Sequence, residues 1–143
     1  MGSEMCIRDR IDTIFLVAPT TSEERVKSIV ELTSGYVYYV SLKGVTGASI
    51  SDTQSVQRNV DAVRKMTDLP VVVGFGVKDE QSAKNMSGVS DGVIVGTALV
   101  ENIESLDCST EVNYQEIAKC TSIIKNIRNQ LDSEFNDTRK ESE

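Results

Sequence analysis

The sequence contains no histidine. The usual general base near neutral pH and the commonest metal ligand are therefore both missing. Any acid–base chemistry falls to Asp, Glu, Lys, Tyr or Cys. Cysteine is sparse: Cys6, Cys108 and Cys120 lie far apart, without metal-ligand spacing. An odd number of cysteines fits a reducing cytoplasm better than a disulfide framework, so a cytoplasmic location is expected. No apolar run approaches the length needed to cross a membrane. No basic start leads into an apolar core, so no secretory signal is visible. Positive charge is also short, with 15 Lys and Arg against 22 Asp and Glu and a net charge of -7. That balance argues against nucleic acid, whose phosphates need basic patches.

What is present describes one soluble domain. The 143 residues are 39% hydrophobic and 26% charged, which fits a single globular unit. Its organising stretch is 69–77, Leu-Pro-Val-Val-Val-Gly-Phe-Gly-Val. An unbroken β-branched run such as Val71, Val72 and Val73 suits a strand covered on both faces of a parallel sheet. Pro70 stands just before it, where a missing N–H does least harm. Gly74 and Gly76 let the backbone turn sharply and approach a ligand. A short helix over 79–87 follows, with Ala83 and Met86 inward. Strand, glycine turn and helix start together offer bare N–H groups to an anion.

Residues 1–10 show no periodicity and are read as a non-native or disordered leader. A first strand over 11–18 is nearly continuous in apolar residues, and Pro19 ends it. Thr21 and Glu24 stand at capping-box spacing. Val26, Ile29, Val30 and Thr33 then recur at helical spacing over 22–32, with Gly35 as the C-terminal cap. Tyr-Val-Tyr-Tyr-Val-Ser at 36–41 is the second strand. The glycine-containing stretch 42–51 reads as a mobile lid. Asp52 or Thr53 caps the next helix, whose buried face carries Val56, Val60 and Val63, extended by Met66. A fourth strand, Val93-Ile94-Val95, ends in Gly96-Thr97 before a short helix from Ala98. A polar connection over 101–111 precedes a long helix over 114–131. That helix carries Ile117, Cys120, Ile124, Ile127 and Leu131 at steps of three or four, and the charged stretch 132–143 reads as a frayed tail.

Repeated βα units of this length predict an α/β fold with four parallel strands and right-handed crossovers. Adjacent parallel strands bring the Gly74-Phe75-Gly76 and Gly96-Thr97 turns together. Their N–H groups, the Thr97 hydroxyl and the start of the Ala98 helix can surround one phosphate. Barrels of the (β/α)₈ class build phosphate sites in this way from their last two βα loops.

Several motifs then coincide in order and spacing: Ile-Phe-Leu-Val-Ala-Pro-Thr-Thr at 14–21, Gly-Tyr-Val-Tyr-Tyr-Val-Ser at 35–41, Gly-Val-Thr-Gly at 44–47, Leu-Pro-Val-Val-Val-Gly-Phe-Gly at 69–76 and Asp-Gly-Val-Ile-Val-Gly-Thr-Ala at 91–98. Together they resemble the tryptophan synthase alpha chain family over residues 11 to about 131. The resemblance implies the C-terminal half of a (β/α)₈ barrel, from its fifth strand to its eighth. It implies a part in cleaving indole-3-glycerol phosphate to indole and glyceraldehyde 3-phosphate. It implies two partners: the N-terminal half of the alpha chain, and a beta chain that carries the pyridoxal phosphate. No cofactor or metal is expected in this chain itself.

By the same resemblance, Tyr38 stands beside the substrate. Thr46 belongs to the closing loop, where it helps order a catalytic aspartate. Gly47, Phe75, Gly76, Gly96 and Thr97 form the phosphate cradle. The family's catalytic glutamate and aspartate lie N-terminal to the matched region, and no carboxylate here matches them. Asp12, Asp52 and Asp91 read instead as strand-start, capping and turn residues, and Glu23 and Glu24 as first-turn residues of a helix. The chain alone is therefore expected to be inactive. The alternative reading is a non-catalytic phosphate-binding or subunit-interaction module. Another phosphate-binding barrel, such as a histidine-pathway isomerase, is disfavoured by Gly-Val-Thr-Gly following Tyr-Val-Tyr-Tyr.

Overall fold

The computed structural model describes residues 11–40, 50–74, 76–106 and 113–140, with backbone alone for 50–52 and 134–140. Its elements run β1 (Leu16–Val17), α1 (Glu23–Leu32), β2 (Val37–Tyr39), α2 (Ile50–Arg64), β3 (Val71–Val73), α3 (Glu80–Ser87), β4 (Gly92–Val93), α4 (Thr97–Glu104), α5 (Tyr114–Cys120) and α6 (Ser122–Lys140). The strands form one sheet in the order β1-β2-β3-β4, every pair parallel. This is the sheet that the βα repeat predicts.

Side chains alternate across a strand, so the register separates two faces. Val17, Val37, Tyr39, Val71 and Val73 point one way and are buried. They meet Val26 of α1 and Val56, Val60 and Val63 of α2 in the main core. The Tyr39 hydroxyl reaches through this layer to accept a 2.8 Å bond from the Asn59 side-chain amide. Burial holds the Tyr39 pKa above its ordinary value, and the Asn59 bond offsets only part of that. Along the other face, Leu16 pairs with Tyr38, Tyr38 with Val72, and Val72 with Gly92. A second, smaller cluster joins Val77 and Ala83 to Ile127 of α6, with Val93 and Val95 packed against it.

Several expectations are corrected. Regular pairing of the first strand is confined to Leu16–Val17, and Leu16 is 60% exposed. Ahead of it the Phe15 carbonyl accepts from the Tyr38 N–H and the Thr13 carbonyl from the Ser34 N–H, each at 3.0 Å. Side chains add to this: the Thr13 hydroxyl donates to the Leu32 carbonyl at 2.8 Å, and the Thr13 N–H donates to the Ser34 hydroxyl at 2.9 Å. The Thr21–Glu24 capping box does not form, because the Thr21 hydroxyl accepts from the Ala18 N–H at 3.0 Å and closes the turn after β1. Ser22 is the N-cap of α1. That helix ends at Thr33 rather than at Gly35. Gly35 answers a close approach, since a Cβ there would stand 2.9 Å from the Asp12 Cβ.

Helix α2 starts at Ile50, ahead of the expected Asp52 or Thr53 cap. In β4 the pairing falls on Gly92–Val93, one step before the expected start, although the Ile94 N–H still donates to the Val73 carbonyl at 2.9 Å. Helix α4 reaches Glu104, into the stretch read as a polar connection. The long terminal helix is broken at Thr121, whose hydroxyl bonds back to the Ile117 carbonyl at 2.9 Å, a contact that competes with helix continuation. Past the break, Ile127 is buried and Ile124 is 39% exposed, while Ile117 before it is 47% exposed. Helix α6 then continues to Lys140 through the stretch read as a frayed tail, with an Arg128–Asp132 pair one turn apart on it.

Candidate functional site

The two glycine turns meet as expected at the C-terminal ends of β3 and β4. A cavity of about 310 Å³ opens there, lined by Tyr38, Gly76, Gly96 and Thr97 together with Gly74 and Val77. Four of the residues nominated from the sequence thus share one cavity. Thr46, Gly47 and Phe75, nominated with them, lie outside the described residues.

Each wall has a local cause. Tyr38 leaves the less covered face of β2 and donates its hydroxyl hydrogen to the Gly74 carbonyl at 3.0 Å. Its ring fills the space a side chain at 74 would need: a Cβ there would lie 2.6 Å from the Tyr38 Cζ. Gly74 is therefore required by packing. Gly76 has φ 72, a left-handed conformation that costs a residue with a Cβ roughly 1–2 kcal/mol. Gly96 differs from both. It is the N-cap of α4 with φ -110, and a Cβ at 96 would meet nothing within 4 Å. Neither packing nor backbone angle demands glycine at that point. A side chain there would enter open space, and Gly96 itself lines the cavity.

From Gly96 the chain enters α4 directly. The Leu99 and Val100 N–H groups both turn back to the Gly96 carbonyl, at 2.9 and 3.1 Å. The first turn of a helix carries N–H groups without helical acceptors and a partial positive charge, which favours an anion. On the other side of the cavity, α3 is capped by its own residues. The Asp79 carboxylate accepts from the Ser82 N–H at 2.8 Å, and the Ser82 hydroxyl accepts from the Asp79 N–H at 3.1 Å. Hydrogen bonds from Ser82 hold the Asp79 pKa below its ordinary value, and the neighbouring Lys78 charge adds to this. The α3 terminus is thus satisfied internally, whereas the α4 terminus faces the cavity.

Lys78 and Glu101 also line this cavity, and the sequence reading missed both. The signals were present: Lys78 follows Gly76 by two positions, and Glu101 stands one helical turn beyond Thr97. Among the described residues, no group of three or more His, Cys, Asp or Glu side chains could hold a metal ion. No helix there is long and apolar enough to cross a membrane.

Comparison with known proteins points the same way as the geometry. A sequence model described as Tryptophan synthase alpha chain matches residues 2–131, starting ahead of Ile11. The tryptophan synthase alpha chain of Nitrosococcus oceani is 41% identical over 132 residues, which cover 92% of this chain and 48% of that one. That of Paraburkholderia phymatum is 47% identical over 124 residues, covering 86% and 44%. The solved tryptophan synthase subunit alpha of Campylobacter jejuni superposes with a TM-score of 0.70 at 35% identity, over 87% of this chain and 46% of that one. The chain spans about half the length of the curated relatives it matches.

Proposed function

This chain belongs to the tryptophan synthase alpha chain family, and we propose that it supplies that family's phosphate-gripping half-barrel. Its four parallel strands correspond to the C-terminal half of the (β/α)₈ fold. In this reading the cavity at the ends of β3 and β4 takes the phosphate of indole-3-glycerol phosphate. Gly76 and Gly96 bring backbone N–H groups close, the Thr97 hydroxyl adds a donor, and the start of α4 supplies the positive end of its dipole. Tyr38 stands on the cavity wall beside the body of the substrate. Thr46 belongs to the closing loop, and Gly47 and Phe75 to the cradle. The observation that carries this reading is Gly96, a glycine that the fold does not require, opening onto the cavity at the first turn of α4.

The chemistry proposed for the complete barrel is a retro-aldol cleavage. Indole C3 gains a proton, the glycerol hydroxyl loses one, and the carbon–carbon bond between them breaks to give indole and glyceraldehyde 3-phosphate. Each such proton transfer contributes ~10²–10⁴-fold to rate. No carboxylate of this chain is assigned to either transfer. The proposal gives both to four further βα units, which would also cover the Leu16–Tyr38–Val72 face. Grip without acid and base binds ground and transition states alike and leaves turnover negligible. The beta chain and its pyridoxal phosphate are the partner that receives indole. Residues 11–131 form the working unit in this proposal, with 1–10 and 132–143 outside it.

The test is titration of the labelled chain with glycerol 3-phosphate, followed by amide NMR. Shifts at Gly76, Gly96 and Thr97 are expected. A folded sample in which none of the three moves refutes the phosphate assignment.

A further inference from the structure

We propose that Lys78 and Glu101 set which anions the cavity accepts, and that the pair selects a small phosphate monoester with an otherwise uncharged body. The proposal rests on the phosphate reading above and adds to it two residues that neither packing nor the backbone cradle accounts for. Lys78 and Glu101 are the charged side chains among the described residues that line the cavity. They arrive from different βα turns: Lys78 from the segment between β3 and α3, and Glu101 from the second turn of α4. Both are exposed, so neither holds the fold together, and each is free to answer a ligand. The neighbouring Asp79 carboxylate is engaged by Ser82 at the α3 cap, which leaves Lys78 as the cation facing the cavity.

The charges balance in a specific way. A phosphate against Gly96 and Thr97 meets the α4 terminus and Lys78, which together offset its charge. The remaining walls, including Val77, Ile94 and Ala98, are apolar and suit an uncharged body. Among the described residues, a second acidic group on the same ligand finds no further cation at the cavity. It meets the Glu101 carboxylate instead, and like charges at a shared site repel. Discrimination of this kind comes from an opposing group as much as from an attracting one.

The test compares glycerol 3-phosphate with 3-phosphoglycerate, which carries an added carboxylate, by calorimetric titration of the full chain. Wild type is expected to prefer glycerol 3-phosphate. Lys78→Gln should weaken that ligand about threefold, the scale of one exposed ion pair, and flatten the salt dependence of binding. Lys78→Arg should restore both. Glu101→Gln should strengthen 3-phosphoglycerate by more than it strengthens glycerol 3-phosphate, narrowing the preference. Far-UV circular dichroism confirms that each variant is folded. If glycerol 3-phosphate binds but neither variant changes affinity, salt dependence or preference, the charge pair is wrong and the phosphate cradle stands. If glycerol 3-phosphate moves no amide at Gly76, Gly96 or Thr97, the cradle falls and the pair falls with it.

Discussion

The two faces of the sheet are built from the same kinds of residue and end up in different environments. Val71 and Val73 are fully buried under α1 and α2. Val72, between them on the same strand, is only half-buried, and its neighbour row runs to Leu16 at 60% exposure. One face holds this chain together. The other face, with the strand ends above it, carries the candidate site. Stability and ligand binding should therefore respond to different substitutions, and that separation can be broken experimentally.

The largest effect should come from charging the covered face. Val71→Asp places an unpaired carboxylate in the main core, a loss of about 4 kcal/mol or more, and should leave no cooperative melt. Leu16→Asp, the same charge on the other face, should change stability by no more than about 0.5 kcal/mol. Thermal unfolding of the pair decides whether the faces differ. A variant at Leu16 as damaging as one at Val71 would erase the distinction.

A smaller effect separates the two glycine turns. Gly74→Ala drives a methyl into the Tyr38 ring and should cost about 1–3 kcal/mol as an overpacked site. Gly96→Ala meets open space and should melt within about 0.5 kcal/mol of wild type. Denaturant titration of both variants checks this. Equal losses at the two positions would mean that Gly96 is also a packing glycine.

The fold was legible wherever local pattern and tertiary packing agree. The Val56, Val60 and Val63 spacing of α2 points its buried face correctly, because that helix has one wide partner surface. The αβ order predicts the parallel sheet, because a short βα unit leaves no other economical return path. The Leu69–Val77 stretch misled in one respect: three consecutive valines predict two covered faces, and β propensity cannot tell which face has a partner. Capping failed at Thr21 because its hydroxyl serves the preceding turn. The terminal helix breaks at Thr121 through a back-bond that apolar spacing does not register. Within the site, the glycines and Thr97 were visible as punctuation of strands. Lys78 and Glu101 were passed over, since their spacing from Gly76 and Thr97 gains meaning only when two turns are brought to one cavity.

The smallest expected effect lies at the opposite end of the strands. The Asp91 carboxylate accepts from the Val71 N–H at 2.8 Å and from Arg64 Nη2 at 2.8 Å. Partial burial raises its pKa, but the hydrogen bonds from Arg64 and Val71 and the Arg64 charge outweigh this, and the net value lies below the ordinary one. A carboxylate with a depressed folded-state pKa adds stability that is complete above its unfolded value of about 3.9 and lost as pH falls through the folded value. Because the side chain is 41% exposed, its share is about 0.5 kcal/mol after solvent screening. Asp91→Asn should melt slightly lower at neutral pH and lose less on acidification below pH of about 4. Parallel acid titrations of the two proteins, followed by circular dichroism, measure the difference. Identical acid profiles would remove Asp91 from the account.

The most direct test of the separation is Gly96→Asp, read by melting and by calorimetric titration with glycerol 3-phosphate on the same sample. The aspartate side chain enters open space at the positive end of the α4 dipole, so the melting temperature should match that of wild type. The added carboxylate would occupy the anion position, so binding should disappear. A variant that melts normally and still binds glycerol 3-phosphate as wild type does would contradict the assignment of this cavity.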